Sequence, residues 1–319
     1  LYEGDCCDAA FVSSVFDKEH IDGVVHFAGL KAVGESVRIP LNYYQNNLGA
    51  TMTLYRNEDI GISRSRTCCS LEDVEDARSA AFRLGIPYYV FNFTDAFREK
   101  VIGKFTASYC QGLTPNPCID CNRCLKFGAL LERALLLGYD YLATGHYARV
   151  KLDEASGKYR LLRGRDRSKD QSYVLWNLTQ EELGRLSFPL GIYTKPQIRE
   201  IAENAGLECA HSKDSQDICF VPDGDYAAFL ERYTGQPMQP GNFVDEQGHV
   251  IGRHKGAARY TIGQRKGLGL AMGAPVYVCG KDMQANTVTV GPEEMLFDRI
   301  VYADEVNWIA IPELTAPLR

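Results

Sequence analysis

The residues best suited to chemistry fall within residues 114–127, TPNPCIDCNRCLKF, where Cys118, Cys121 and Cys124 recur at every third position. Pro115 and Pro117 forbid a helix before Cys118, and from there an unbroken helical pattern extends to Gly138. Cys121 is therefore expected in a first helical turn. Unpaired amides and the helix dipole at such an end favour thiolate over thiol, and Arg123 and Lys126 push the same way. Three cysteines near one helix face could instead gather a metal. A structural zinc site usually takes a second close pair of Cys or His, and the strong distant candidate here is Cys219 in KDSQDICF, residues 213–220. Reactive thiols, an iron–sulfur or zinc site and inert packing all remain open on spacing alone.

The elements that must position these residues alternate helix and strand after the first fifty residues, as a parallel-sheet domain requires. Ser70 and Asp73 form a capping-box pattern for a helix carrying Val74, Ala77, Ala81 and Leu84 inward, closed by Gly85 before a strand over residues 88–93. Thr194 with Gln197 opens another helix, which Gly206 ends. Residues 139–143 read as a short buried strand running into Thr144, Gly145 and His146, where open sheets place ligand-binding loops. Beyond Phe220 the texture turns β-rich, with strand-like alternation at residues 276–279 and 287–290. The boundaries fall near residues 220 and 285.

Length and composition fit a protein of two or three domains. The chain has 319 residues, 45% of them apolar. No apolar run approaches the roughly 18 residues of a membrane span, so no membrane association is expected and the cytoplasm is the default compartment. An odd count of 11 cysteines in a chain this long points to thiols held for reactivity or metal. The net charge of -6 excludes a uniformly basic coat, yet two basic stretches could serve nucleic acid. One holds Lys158, Arg160, Arg163, Arg165, Arg167 and Lys169; the other holds Arg253, Lys255, Arg259, Arg265 and Lys266.

Six blocks then occur in one order: TPNPCIDCNRCLKF, ATGHYAR (143–149), KDQSYVL (169–175), FPLG (188–191), KDSQDICF (213–220) and YTIGQRKGLGL (260–270). In that order, from about Thr53 onward, the chain resembles the tRNA-specific 2-thiouridylase family. The resemblance implies an α/β fold: an adenine-nucleotide hydrolase-like parallel-sheet domain of the PP-loop type (53–220), a small central domain (221–285) and the start of a C-terminal β-barrel (286–319). It implies ATP, used with Mg, to adenylate a tRNA uridine. Cys219 would carry a persulfide loaded by a sulfur-donor protein, and Cys121 would be the nucleophile that frees the sulfur through a disulfide. Met52 and Gly145 match nucleotide-contacting positions. Asn116, Pro117 and Cys118 match the segment that touches the target base, and His146, Lys169, Asp170 and Gln171 match further tRNA contacts. Some members carry Asp where this chain has Cys118, which makes an iron–sulfur cluster on Cys118, Cys121 and Cys219 a variant of the same site.

The resemblance stops at the N-terminal side. The family opens on a Ser-Gly-Gly-x-Asp-Ser loop that cradles the ATP pyrophosphate, and no such loop precedes Thr53. Residues 1–8, 21–36 and 40–51 instead resemble an internal piece of UDP-glucose 4-epimerases, in which Asp5, Phe27, Ala28, Gly29, Leu30, Lys31 and Asn46 would line NAD. The epimerase Tyr-x-x-x-Lys pair is absent there; its spacing recurs at Tyr147 and Lys151, inside a thiouridylase block. The sequence thus reads as a fragment or chimera. Its expected function is tRNA uridine 2-sulfurtransfer with ATP binding compromised. A non-catalytic tRNA-binding remnant and an iron–sulfur-bearing protein are the competing readings.

Overall fold

The computed structural model describes residues 47–56, 71–207, 218–311 and 313–315, the side chains of residues 71–73 excepted. The Ser70–Asp73 capping box and the NAD-lining positions at Asp5, residues 27–31 and Asn46 lie outside the described residues.

The first unit is α/β. β1 (Gly49–Thr53) pairs in parallel with β2 (Tyr88–Asn92), and α1 (Leu71–Leu84) makes the crossover that parallel neighbours need. Short β3 (Leu142–Ala143) pairs in parallel with β6 (Leu186–Ser187). Between them in sequence, β4 (Ala148–Asp153) and β5 (Lys158–Arg163) form an antiparallel hairpin. The strand expected over residues 139–143 is thus only two residues long, its neighbours being used to line a cleft.

Most helical material lies between the parallel pairs. α2 (Thr94–Phe97), a π-helical turn (Arg98–Gly103) and α3 (Lys104–Cys110) run on from one another. Next come α4 (Pro117–Asp120), a π-helical segment (Cys121–Leu130) and α5 (Leu131–Leu136), after which Gly138 at φ 84° closes the run. The start lies one residue earlier than the prolines suggested. Pro117 occupies the first helical position, where its missing N–H costs nothing, and the Asn116 side chain accepts the Cys118 N–H at 3.1 Å as the cap. Asn116→Ala should therefore lower stability by about 1 kcal/mol, read as a shift in urea midpoint at unchanged slope.

α6 (Gln180–Leu183) starts on a reciprocal capping box between Thr179 and Glu182, and α7 (Lys195–Asn204) on the expected box between Thr194 and Gln197. Gly206, at φ 67°, lies just past the end of α7, as read from sequence. α8 (Tyr226–Thr234), capped by the Asp225 side chain, leads into the second unit.

That unit is a four-stranded sheet in the order β8 (Val250–His254), β7 (Gly241–Val244), β10 (Thr287–Gly291) and β9 (Tyr277–Asp282), with β7 and β10 parallel. It runs across residue 285, and no closed barrel forms among the described residues. No helix among them is long and apolar enough to cross a membrane.

Three buried clusters hold these pieces. One joins Leu54, Phe97, Phe105, Cys121, Phe220 and Phe229 across 175 residues of chain. A second packs Phe127, Leu131, Leu175, Leu178 and Phe188 beneath β4 and β5, and a third fills the sheet of the second unit around Phe243, Val278 and Val288.

Candidate active site

Cys121 and Cys219, 98 positions apart in sequence, are both part of the first cluster. Cys121 is buried within it and Cys219 packs against it half-buried, as does Cys124. The turn bearing Cys219 is held twice. The Tyr55 hydroxyl, just past β1, donates to the Cys219 carbonyl at 2.7 Å. Phe220 is 1% exposed, with its ring 5.2 Å from those of both Phe105 and Phe229. No disulfide joins the two cysteines, so the bond implied by the family resemblance is not a standing part of the fold.

Cys121 sits differently from the expectation. Its N–H already bonds the carbonyls of Pro117 and Cys118, so it closes the first turn rather than lying among the unpaired amides. Arg123 is committed too, donating with Lys104 to the buried Asp120 carboxylate at 3.1 and 2.8 Å. The segment then winds as a π-helix, with i→i+5 bonding. Gly128 permits this, since a Cβ there would stand 2.9 Å from the Arg123 carbonyl. Cys118, on the α-helical turn ahead of this segment, is exposed, while Cys121, at its start, is buried. No group of three Cys, His, Asp or Glu among the described residues could hold a metal ion. An iron–sulfur cluster on Cys118, Cys121 and Cys219 is thus not shown by the described residues.

Beside the cysteines lies a cleft of about 720 Å³, floored by the helical run and walled by β1 on one side and residues 139–146 on the other. Met52, Gly145, His146 and Gln171 all line it, so the structure brings together four residues singled out from sequence. Met52 also packs against the cluster that includes Cys121 and Cys219, so the cleft borders that cluster.

His146 is 7% exposed, wedged between Phe127 and Phe188, with its Nδ1 2.7 Å from the Thr144 hydroxyl. Burial, helped by the nearby Lys126 charge, pushes its pKa down to about 3. Because the unfolded value lies near 6.5, its stability contribution is complete above about pH 6.5 and is lost as pH falls toward 3. Lowering the pH from 7 to 5 should cost about 2 kcal/mol through this residue. His146→Gln should flatten that part of the profile, read from urea midpoints at the two pH values.

The loop over residues 164–172 borders the cleft through Gln171, whose side chain accepts the Tyr147 N–H at 3.0 Å. Asp170 braces this loop from within. Burial pushes its carboxyl up, but the Gly164 N–H and the Ser172 hydroxyl and N–H outweigh that and hold it below the usual carboxylate range. Lys169 is half-buried on the same loop. Asn122, buried next to Cys121, donates to the Val174 carbonyl at 3.3 Å and so ties the nucleophile's helix to the segment after this loop. Asn116 and Cys118 are exposed at the helix start, whereas Pro117 is buried.

Sequence reading missed Tyr55, Asn122, Asp120 and Lys104. Nothing in their local spacing marks them, because each acts through a partner brought in by the fold.

A parallel α/β unit with its cleft beside a paired-cysteine core, followed by a small β-rich unit, defines the class. Residues 35–223 match the family model described as "tRNA methyl transferase HUP domain", and residues 227–292 match "tRNA methyl transferase PRC-barrel domain". Residues 1–62 match a third model, "GDP-mannose 4,6 dehydratase".

The relatives narrow this further. The chain is 55% identical over 252 residues to the tRNA-specific 2-thiouridylase MnmA of Heliobacterium modesticaldum, covering 79% of this chain and 66% of that protein. It is 54% identical over 247 residues to the protein of that name from Carboxydothermus hydrogenoformans, covering 77% and 68%. It is 48% identical over 271 residues to that of Clostridium perfringens, covering 85% and 75%. The chain belongs to the tRNA-specific 2-thiouridylase family. It spans between 66% and 75% of the length of these three relatives.

Proposed function

We propose that this chain is a tRNA uridine 2-sulfurtransferase with an intact cysteine relay and a weakened hold on the ATP pyrophosphate. The observation that carries the reading is the shared position of Met52, which packs on the core of Cys121 and Cys219 and also lines the cleft with Gly145 and His146. A nucleotide in that cleft and a sulfur on Cys219 would be adjacent. The weakened hold follows from residues 1–62, which match a dehydratase model and lack the Ser-Gly-Gly-x-Asp-Ser loop.

The chemistry needs both partners. A uridine carbonyl oxygen leaves poorly, so ATP, used with Mg, first converts it to an adenylate with loss of pyrophosphate. The terminal sulfur of a Cys219 persulfide, loaded by a donor protein, attacks that carbon and expels AMP. The base is then joined to Cys219 through a disulfide. The Cys121 thiolate attacks the Cys219 sulfur, forming a Cys121–Cys219 disulfide and releasing 2-thiouridine; a thiol reductant resets the pair. The burial of Cys121 and the partial burial of Cys219 limit competing attack by water.

The tRNA would approach over Asn116 and Cys118 at the helix start and along the loop of Lys169, Asp170 and Gln171. Arg163, Arg165 and Arg167 stand exposed beside that loop. Arg160 is paired with Asp153, and in the second stretch Arg259 is paired with Glu231 at 3.0 Å, so those two support the fold.

The test is 2-thiouridine formation in unmodified tRNA with a persulfide donor across a range of ATP concentrations. Product is expected, with half-saturation at roughly tenfold or more ATP relative to the Clostridium perfringens protein, as for loss of about 1.4 kcal/mol of phosphate contact. Salt-sensitive tRNA binding without product at any ATP concentration would reduce the chain to a binding remnant and overturn the proposal.

A further inference from the structure

The cleft is lined by aliphatic, aromatic and neutral polar side chains, with one charge among the described residues, that of Lys126. No carboxylate lines the cleft, and no ion pair involves Lys126 among the described residues. The neighbouring His146 ring is buried between two phenylalanines and contributes no compensating charge. A half-buried lysine whose side chain lines an otherwise uncharged cleft, with no carboxylate beside it there, is suited to an anionic ligand.

The helix winding directs this charge. Lys126 lies five residues after Cys121 on the π-helical segment, where i→i+5 bonding brings it round near the same side one wide turn on. In an α-helix the same residue would be rotated about 140° away. We infer that Lys126 is the cation that recognises the phosphate group of a nucleotide bound in the cleft, one turn from the nucleophilic cysteine. The inference rests on the nucleotide reading of the cleft given above and adds the residue that distinguishes a nucleotide from a nucleoside. Where the pyrophosphate loop is missing, this one cation carries more of the phosphate recognition.

The test compares AMP with adenosine by calorimetry on the full chain and on Lys126→Met and Lys126→Arg. The unchanged chain should prefer AMP by about tenfold or more, the range of a charge-assisted hydrogen bond. Lys126→Met should lose that preference while adenosine binding stays within about twofold, and Lys126→Arg should keep it. Undiminished AMP affinity in Lys126→Met overturns the role of Lys126 and leaves the nucleotide reading intact. Equal loss of AMP and adenosine marks the lysine as structural support and also overturns it. Failure of the unchanged chain to bind either ligand overturns the nucleotide reading and this inference together.

Discussion

Replacing either cysteine with serine is expected to end sulfur transfer, lowering 2-thiouridine formation about a thousandfold or more, and the two variants should fail at different points. Cys219→Ser has no atom on which to load sulfur, so the protein should emerge from the donor reaction without a persulfide. Cys121→Ser should load sulfur and attack the activated uridine. It cannot then break the resulting link, so tRNA should accumulate on Cys219 as a covalent adduct that a small thiol releases. Gel mobility before and after reduction separates these outcomes. Cys121→Ser puts a hydroxyl inside an apolar cluster and Cys219→Ser puts one at its edge, and a stability loss of about 1–2 kcal/mol is expected beside the chemical defect, larger for Cys121→Ser. Transfer that survives in Cys121→Ser would remove the resolving role from that residue.

The largest effect on stability is expected at Phe220. Its ring is packed edge-on against Phe97 and Phe105, at 5.7 and 5.2 Å, and tilted against Phe229. Phe220→Ala empties the centre of that cluster and should cost about 3–5 kcal/mol, seen as a lower urea midpoint with an unchanged slope. Because Phe220 anchors the turn bearing Cys219, sulfur transfer should fall even where the variant is fully folded. Phe220→Leu, which refills most of the volume, should recover part of both. An alanine variant with undiminished stability would mean the aromatic cluster does not hold the two halves of the relay together.

Much of the site was legible because the chemistry depends on residue types in local patterns. Pro115 and Pro117 marked a helix start within one residue of the observed one, though Cys121 closes the first turn rather than lying among its unpaired amides, and the Thr194–Gln197 box and Gly206 marked the limits of another helix. Local sequence did not carry the π-helical winding from Cys121 to Leu130. The hydrophobic pattern there suits an α-helix, and the choice rests on Gly128 meeting the Arg123 carbonyl and on packing from elsewhere. Nor did the three-residue spacing show that Cys118 is exposed, Cys121 buried and Cys124 half-buried, since those environments are set by packing from elsewhere in the chain. The hydrogen bond from Tyr55 to the Cys219 carbonyl links residues 164 apart, and such contacts appear only once the chain has folded. Asp170 looked like a surface contact because its neighbours match a tRNA-binding block, yet its carboxylate is engaged by Gly164 and Ser172. Any contact it makes to tRNA would compete with those bonds.

The measurement that bears most directly on the account is a single turnover of persulfide-loaded protein with unmodified tRNA and ATP, read on both partners by mass spectrometry. The account predicts 2-thiouridine in the tRNA and a Cys121–Cys219 linked peptide in the protein, in equal amounts and only when ATP is present. Absence of 2-thiouridine, with the Clostridium perfringens protein thiolating the same tRNA alongside, would contradict it.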